Sequence, residues 1–104
     1  MAKVYIVNNM VHDYSSAAKF GELVNATEGK VPIFKTDISS EWLERTLKDF
    51  TEEDYLLLSG PTILCIMAHI IVVRALKDKR QPTVIKFLVF DAKEQSYIVR
   101  HLSA

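Results

Sequence analysis

Small and polar residues follow directly after the apolar runs of this 104-residue chain. Asn8, Asn9, His12 and Asp13 come after VYIV, and Thr36 and Asp37 come after VPIFK. Ser59, Gly60, Pro61 and Thr62 follow YLLL, and Asp91 follows VIKFLVF. If those runs are parallel strands, these residues gather beyond the carboxyl ends of one sheet, where open α/β sheets bind ligands. Ser59-Gly60 at the start of a helix would add backbone N–H groups and the positive end of a helix dipole, which suits a small anion. The same residue types also cap helices and close turns. Ligand binding and capping therefore both stand as readings of Asn8, Asn9, His12, Asp37, Ser59, Gly60, Thr62 and Asp91.

Acid–base chemistry would have to come from His12 and Asp13 with Asp37 or Asp91, which is the basis for a small hydrolase or nuclease. No nucleophile supports it. Cys65 falls one helical turn after the Ser59-Gly60 turn and reads as a small hydrophobe. Motifs for a dinucleotide site, a P-loop, a G-x-S-x-G elbow, an H-E-x-x-H pair or a C-x-x-C pair are missing. The expectation is no catalytic residue, no metal site and no identifiable cofactor, with the enzyme reading the weakest of three. One cysteine excludes an internal disulfide.

Thirteen Lys and Arg balance thirteen Asp and Glu, so no global field favours nucleic acid or an anionic membrane. The basic run Lys77–Arg80 reads as a solvated loop. With 49% apolar and 25% charged residues, composition is that of an ordinary globular domain, and the length suits one domain over 1–104. The opening MAKVYIVNN lacks a signal-peptide pattern, and a cytoplasmic protein without a membrane partner is expected.

The elements follow from the pattern. Lys3–Val7 is β-branched and aromatic and predicts a first strand. Asn8 to Asp13 is a polar loop that includes Val11. Asp13 or Ser15 would cap a helix to about Asn25, with Ala17, Phe20 and Val24 inward and Gly29 as its stop. Val31–Lys35 predicts a second strand, placed at a sheet edge because Pro32 cannot donate to a ladder. Asp37 or Ser39 would cap a second helix through Phe50, with Leu43, Leu47 and Phe50 inward. Tyr55–Leu58 reads as a central strand and Pro61–Leu76 as a helix. Val84–Phe90 and Ser96–Leu102 form a closing antiparallel hairpin. The fold class is α/β: a three-layer, Rossmann-like, mostly parallel five-stranded sheet, βαβαβαββ, in the order 2-1-3-4-5 with the last strand antiparallel.

Between Ile63 and Val73 only His69 interrupts an apolar run, too short for the roughly 20 residues that span a bilayer. A surface helix would show a polar side. Both sides of this one are expected to be covered, one by the sheet and the other by a second copy of the chain. Cys65, His69, Ile71 and Val72 are the residues expected at that homodimer interface. A protein-interaction module docking a different partner on the same helix is the second reading.

KVYIVNN, VPIFKTD and DYLLLSGP over residues 3–61 resemble the first half of a class I glutamine amidotransferase domain. That family's Gly-x-Cys-x-Gly elbow and His-x-Glu pair have no counterpart here, so no catalytic residue carries over. DYLLLSGPTILCIMAHIIV is similar to the strand–turn–helix of ligand-sensing CARF domains. Ser59-Gly60-Pro61-Thr62 lacks the second glycine and the lysine of their turn, so cyclic-oligonucleotide binding does not carry over. The whole chain resembles small proteins of phages and mobile elements. The leading expectation is a non-catalytic, Rossmann-like homodimer that takes a small anionic or nucleotide-like ligand at the Asn8/Ser59 crevice.

Overall fold

A computed structural model describes residues 1–10 and 12–104; Val11, in the loop after the first strand, lies outside the described residues. The elements run β1 (Lys3–Ile6), a 3-10 helix (Ser15–Phe20), β2 (Glu22–Asn25), α1 (Thr36–Leu47), β3 (Tyr55–Leu57), α2 (Thr62–Asp78), β4 (Val84–Asp91) and β5 (Ser96–Ser103). They build one mixed sheet in the order β2-β1-β3-β4-β5. Pairing is parallel from β2 through β4 and antiparallel between β4 and β5, as the alternation of apolar runs predicts.

Strand β1 shows why its run is apolar throughout. Val4 and Ile6 point to one face, where they meet Tyr14, Ala17, Leu57, Leu88 and Tyr97. Tyr5 points to the other, into a core built with Leu43, Leu47, Phe50, Leu64, Ala68 and Leu76. Both faces are covered, so alternation with polar residues would be destabilising. The 3-10 helix lies on the first face, and α1 and α2 lie on the second. That division follows from handedness. The step from β1 to β2 runs one way across the sheet, and the steps from β2 to β3 and β3 to β4 run the other way. Crossovers of a single hand must then fall on opposite faces.

Two expectations are corrected. The first helix is a six-residue 3-10 turn ending at Phe20, and the second strand is Glu22–Asn25 rather than Val31–Lys35. Gly21 marks the switch: a Cβ there would collide with the Ala2 carbonyl, so the chain passes against the start of β1 and pairs with it. Phe20 and Val24, expected on one helical face, pack on opposite sides of the sheet. Gly29 follows β2, its N–H donating to the Asn9 carbonyl (2.9 Å). Pro32 sits in a turn closed by Lys35 N–H to Pro32 O (3.0 Å), and the edge strand is the preceding segment.

Helix α1 starts after Lys35, with Asp37 in its first turn and Ser39 buried, so neither of the expected caps occupies the cap position. Leu43, Leu47 and, just past its end, Phe50 are buried as expected. Helix α2 buries Leu64, Ala68, Ile71, Val72, Ala75 and Leu76 against the sheet and α1. Ile63, Ile66 and Ile70 remain exposed. Among the described residues no helix is long and apolar enough to cross a membrane.

Candidate functional site

The point where strand order reverses lies between β1 and β3, and the structure brings Asn8, Ser59 and Gly60 together there. The Ser59 hydroxyl donates to Asn8 O (2.8 Å) and accepts from Asn8 N–H (3.3 Å), tying the two strand ends together instead of capping α2. The position before α2 is Pro61, and no side chain caps that helix. Asn8 is 1% exposed. Its Nδ2 donates to Thr27 Oγ1 (2.8 Å) and Gly29 O (3.0 Å). The Thr27 hydroxyl in turn donates to Val7 O (2.7 Å). Asn9 Nδ2 donates to Asn25 Oδ1 (2.9 Å), and Asn25 Nδ2 to Glu28 Oε1 (2.7 Å). Gly60 adopts φ +83° and lies directly against the Asn8 side chain. Asn8 thus knits β1, β2 and β3 at one end of the sheet, and a groove of about 550 Å³ opens beside it towards Met10, Lys30, Pro32, Phe34 and Pro61.

The acid–base candidates do not meet. Asp13 Oδ1 accepts from Ser15 N–H (2.9 Å) and closes the start of the 3-10 helix. The Ser15 hydroxyl and N–H hold its carboxyl below the ordinary value. Asp91 Oδ1 closes the β4–β5 turn through Lys93 N–H (3.0 Å) and Glu94 N–H (3.3 Å). Asp37 lies at the start of α1, on the other face of the sheet from the 3-10 helix that Asp13 begins. His12 is exposed and stands edge-on to Tyr14, ring centroids 6.2 Å apart. Among the described residues no group of three or more His, Cys, Asp or Glu side chains is placed to hold a metal ion.

A second surface lies where α2 faces β5. Helix α2 packs on the centre of the sheet, and β5 extends past it at the edge. Opposed pairs share a face in an antiparallel ladder. The pairs Ile85–Leu102, Phe87–Arg100 and Val89–Ile98 therefore all point to the α2 side. A groove of about 570 Å³ results, walled by Leu58, Ile66, His69 and Ile70 on one side and by Val89, Arg100 and Leu102 on the other. Thr62, expected in the crevice, lines this groove instead. His69 stacks on Phe87 at 5.8 Å with 14° between the rings. The Cys65 thiol donates to Ser59 O (3.6 Å), and burial pushes its pKa up, so it stays protonated at neutral pH. Of the four residues expected at an interface, Cys65 and His69 line this groove. Ile71 (5% exposed) and Val72 (fully buried) belong to the core: Ile71 lies beside α1, and Val72 shares the fully buried row of Leu64, Ala68 and Leu76. The outward aliphatics are instead Ile63, Ile66 and Ile70.

Several residues that hold these sites or the sheet behind them in place carry no conspicuous signal in the sequence. Asn25 ends β2 and Thr27 follows it, and both act through that placement. Asp54 is buried, with Oδ1 accepting from Lys3 N–H (2.9 Å) and Oδ2 from Thr51 N–H (2.8 Å) and Oγ1 (3.0 Å). A Thr-x-x-Asp turn before a strand is the one trace of it in the chain.

A family model described as Phage Pam3 gp32-like protein matches residues 2–103. No curated protein and no solved structure matches the chain, so the likenesses to glutamine amidotransferases and CARF domains gain no support.

Proposed function

The chain belongs to the phage Pam3 gp32-like family, and from its geometry we propose a small, non-catalytic, Rossmann-like binding protein that pairs with a second copy of itself through the α2–β5 face. One observation carries this reading. Leu58, Ile63, Ile66, Ile70, Val89 and Leu102 are all exposed on one face, Ile66 at 51% and Leu102 at 58%. Scattered surface aliphatics need no explanation, but a contiguous patch marks an association surface. A two-fold interface requires one patch to carry both a projection and the recess that receives it. Ile63, Ile66 and Ile70 form a ridge, and the groove between α2 and β5 runs alongside it. Turning a second copy about an axis near Ile66 lays each ridge into the other's groove, with Arg100 and Thr62 at the rim.

Fully burying one such side chain is worth about 1.5–3 kcal/mol, and these are about half exposed, so each contributes roughly 1 kcal/mol. Two copies supply about 12 kcal/mol, against about 4–15 kcal/mol for the lost freedom of association. The balance reaches about 8 kcal/mol only at the low end of that cost, so a micromolar dimer is the tightest expected. Sedimentation across a concentration series should show monomer and dimer exchanging in that range, and Ile70→Asp should leave monomer alone. A parent that sediments as a monomer at high micromolar concentration overturns self-association. It would leave the same face to a different protein, the second reading.

A further inference from the structure

We infer, resting on the dimer proposed above, that the two copies dock with their α2 helices parallel, the guanidinium of Arg100 meeting the carboxylate of the partner's Asp37.

Symmetry sets the direction. A two-fold axis lying in the interface crosses the two α2 helices at twice its own angle to them. The ridge of Ile63, Ile66 and Ile70 runs along α2, and so does the groove between that helix and β5. One lies in the other only when the two helices are parallel or antiparallel. An axis perpendicular to α2 keeps the lateral order of α1, ridge, groove and β5, and so sets ridge on ridge. An axis along α2 reverses that order and lays each ridge into the other's groove, with the helices parallel.

The reversal decides what flanks the ridge. Ile70 borders two grooves, the one towards β5 and one of about 370 Å³ towards α1, which Asp37 lines with Met67 and Arg74. When a ridge enters the other copy's groove, its α1 flank lies over that copy's β5. An axis along α2 also leaves every height along the helix unchanged. Asp37 stands at the height of Met67 and Ile70. Arg100 is opposite Phe87 in the β4–β5 ladder, and Phe87 stacks on His69, so Arg100 stands at that height too. Arg100 and the partner's Asp37 then face each other, once on each side of the axis. Arg74 falls further along the helix, towards Leu102.

The charges fit this placement. Both residues are exposed, and Arg100 Nη1 donates to the Val99 carbonyl (2.9 Å). Neither side chain is ion-paired among the described residues, and none of the residues lining the groove beside Arg100 is acidic. Opposite charges at the edge of an apolar interface select one orientation, because the wrong docking sets each against apolar surface or a like charge.

The test is a charge exchange read by sedimentation across a concentration series. Arg100→Asp and Asp37→Arg should each weaken the dimer about tenfold or more, and the double exchange should return it to within about threefold of the parent. Circular dichroism should show the parent's fold in all three. In a Cys65→Ala background, mixing Asp37→Cys with Arg100→Cys under oxidised glutathione should give a covalent dimer, and neither variant alone should. A parent dimer that both single reversals leave intact, or that the double exchange fails to restore, overturns the ion pair and leaves self-association standing. A covalent dimer from Asp37→Cys alone overturns the parallel arrangement. A parent that stays monomeric at high micromolar concentration overturns the dimer and the pair with it.

Discussion

Replacing Gly60 by alanine tests the joint between β1, β3 and α2. At φ +83° the backbone is in the left-handed region, which costs a residue with a Cβ about 1–2 kcal/mol. The added Cβ would also lie 2.6 Å from Asn8 Cβ, 2.8 Å from Oδ1 and 3.0 Å from Cγ. None of these atoms is the loose end of a flexible side chain. The Asn8 amide is pinned by Thr27 and Gly29, and its backbone by the Ser59 hydroxyl. Overpacking against such a neighbour costs about 1–3 kcal/mol. The two effects give a loss of about 2–5 kcal/mol from a total stability of order 5–15 kcal/mol. Urea unfolding followed by circular dichroism should show a lower midpoint with an unchanged slope. Asn8→Gly supplies the control, because it removes every atom in the way and leaves only the backbone term. Gly60→Ala should then cost about 1–3 kcal/mol less in that background, the coupling expected of touching residues. A loss below about 1 kcal/mol, or one of equal size in both backgrounds, would refute the steric account.

Neighbouring isoleucines on α2 should behave oppositely: at concentrations where the parent is monomeric, Ile70→Asp, at a position 46% exposed, should keep the parent's melting temperature, whereas Ile71→Asp, at 5%, should unfold the chain by leaving a carboxylate unpaired in the core. Thermal unfolding of the pair decides it. Asp54→Ala should cost about 2–4 kcal/mol in urea unfolding, since three donors lose a charged acceptor at once. Burial first, and the Asp54 carboxylate second, push the Tyr5 hydroxyl from 10.0 up to about 12. A folded pKa above the unfolded one stabilises fully below pH 10 and is lost as pH rises from about 10 to 12. The parent should therefore lose stability faster than Tyr5→Phe across that window, and parallel curves would contradict the burial of the hydroxyl.

Most of the architecture is readable where packing and local preference agree. Leu56, Leu57, Ile85, Phe87 and Leu88 are apolar because both sheet faces are covered there, and Leu43, Leu47 and Phe50 are spaced for a single helical face. The segment from Ala17 to Lys35 is where they disagree. Ala17, Phe20 and Val24 fit a helical period, and Val31, Ile33 and Phe34 have strand character. Yet pairing with β1 selects Glu22–Asn25, a segment whose exposed first residue and half-buried remainder give little hydrophobic signal. The preference of Val31–Lys35 is overridden because Pro32 lacks an N–H and the adjoining edge is already filled. The site was half legible for the same reason. Asn8, Ser59 and Gly60 fall together because strand ends do, but their partners Thr27 and Gly29 follow the strand that pairing, not pattern, selects. Ile71 is covered by α1, whose position beside α2 no sequence pattern gives, and Val72 falls on the row of α2 with Leu64, Ala68 and Leu76 that is fully buried.

The exposed face follows from the topology itself. Each parallel step needs a crossover, and the two that run towards β4 bring α1 and α2 to one side of the sheet. Strand β5 returns by a hairpin and brings no helix with it. Its other side is served, since Tyr97 packs with Tyr14 and Leu88, and Val99 packs beside them. On the α2 side Arg100 and Leu102 have no element above them. A five-stranded sheet with two helices on that side is one helix short of covering its edge. The aliphatic ridge on α2 borders the uncovered strip, and in the proposed dimer the ridge of each copy would cover the strip that the other's own chain leaves open.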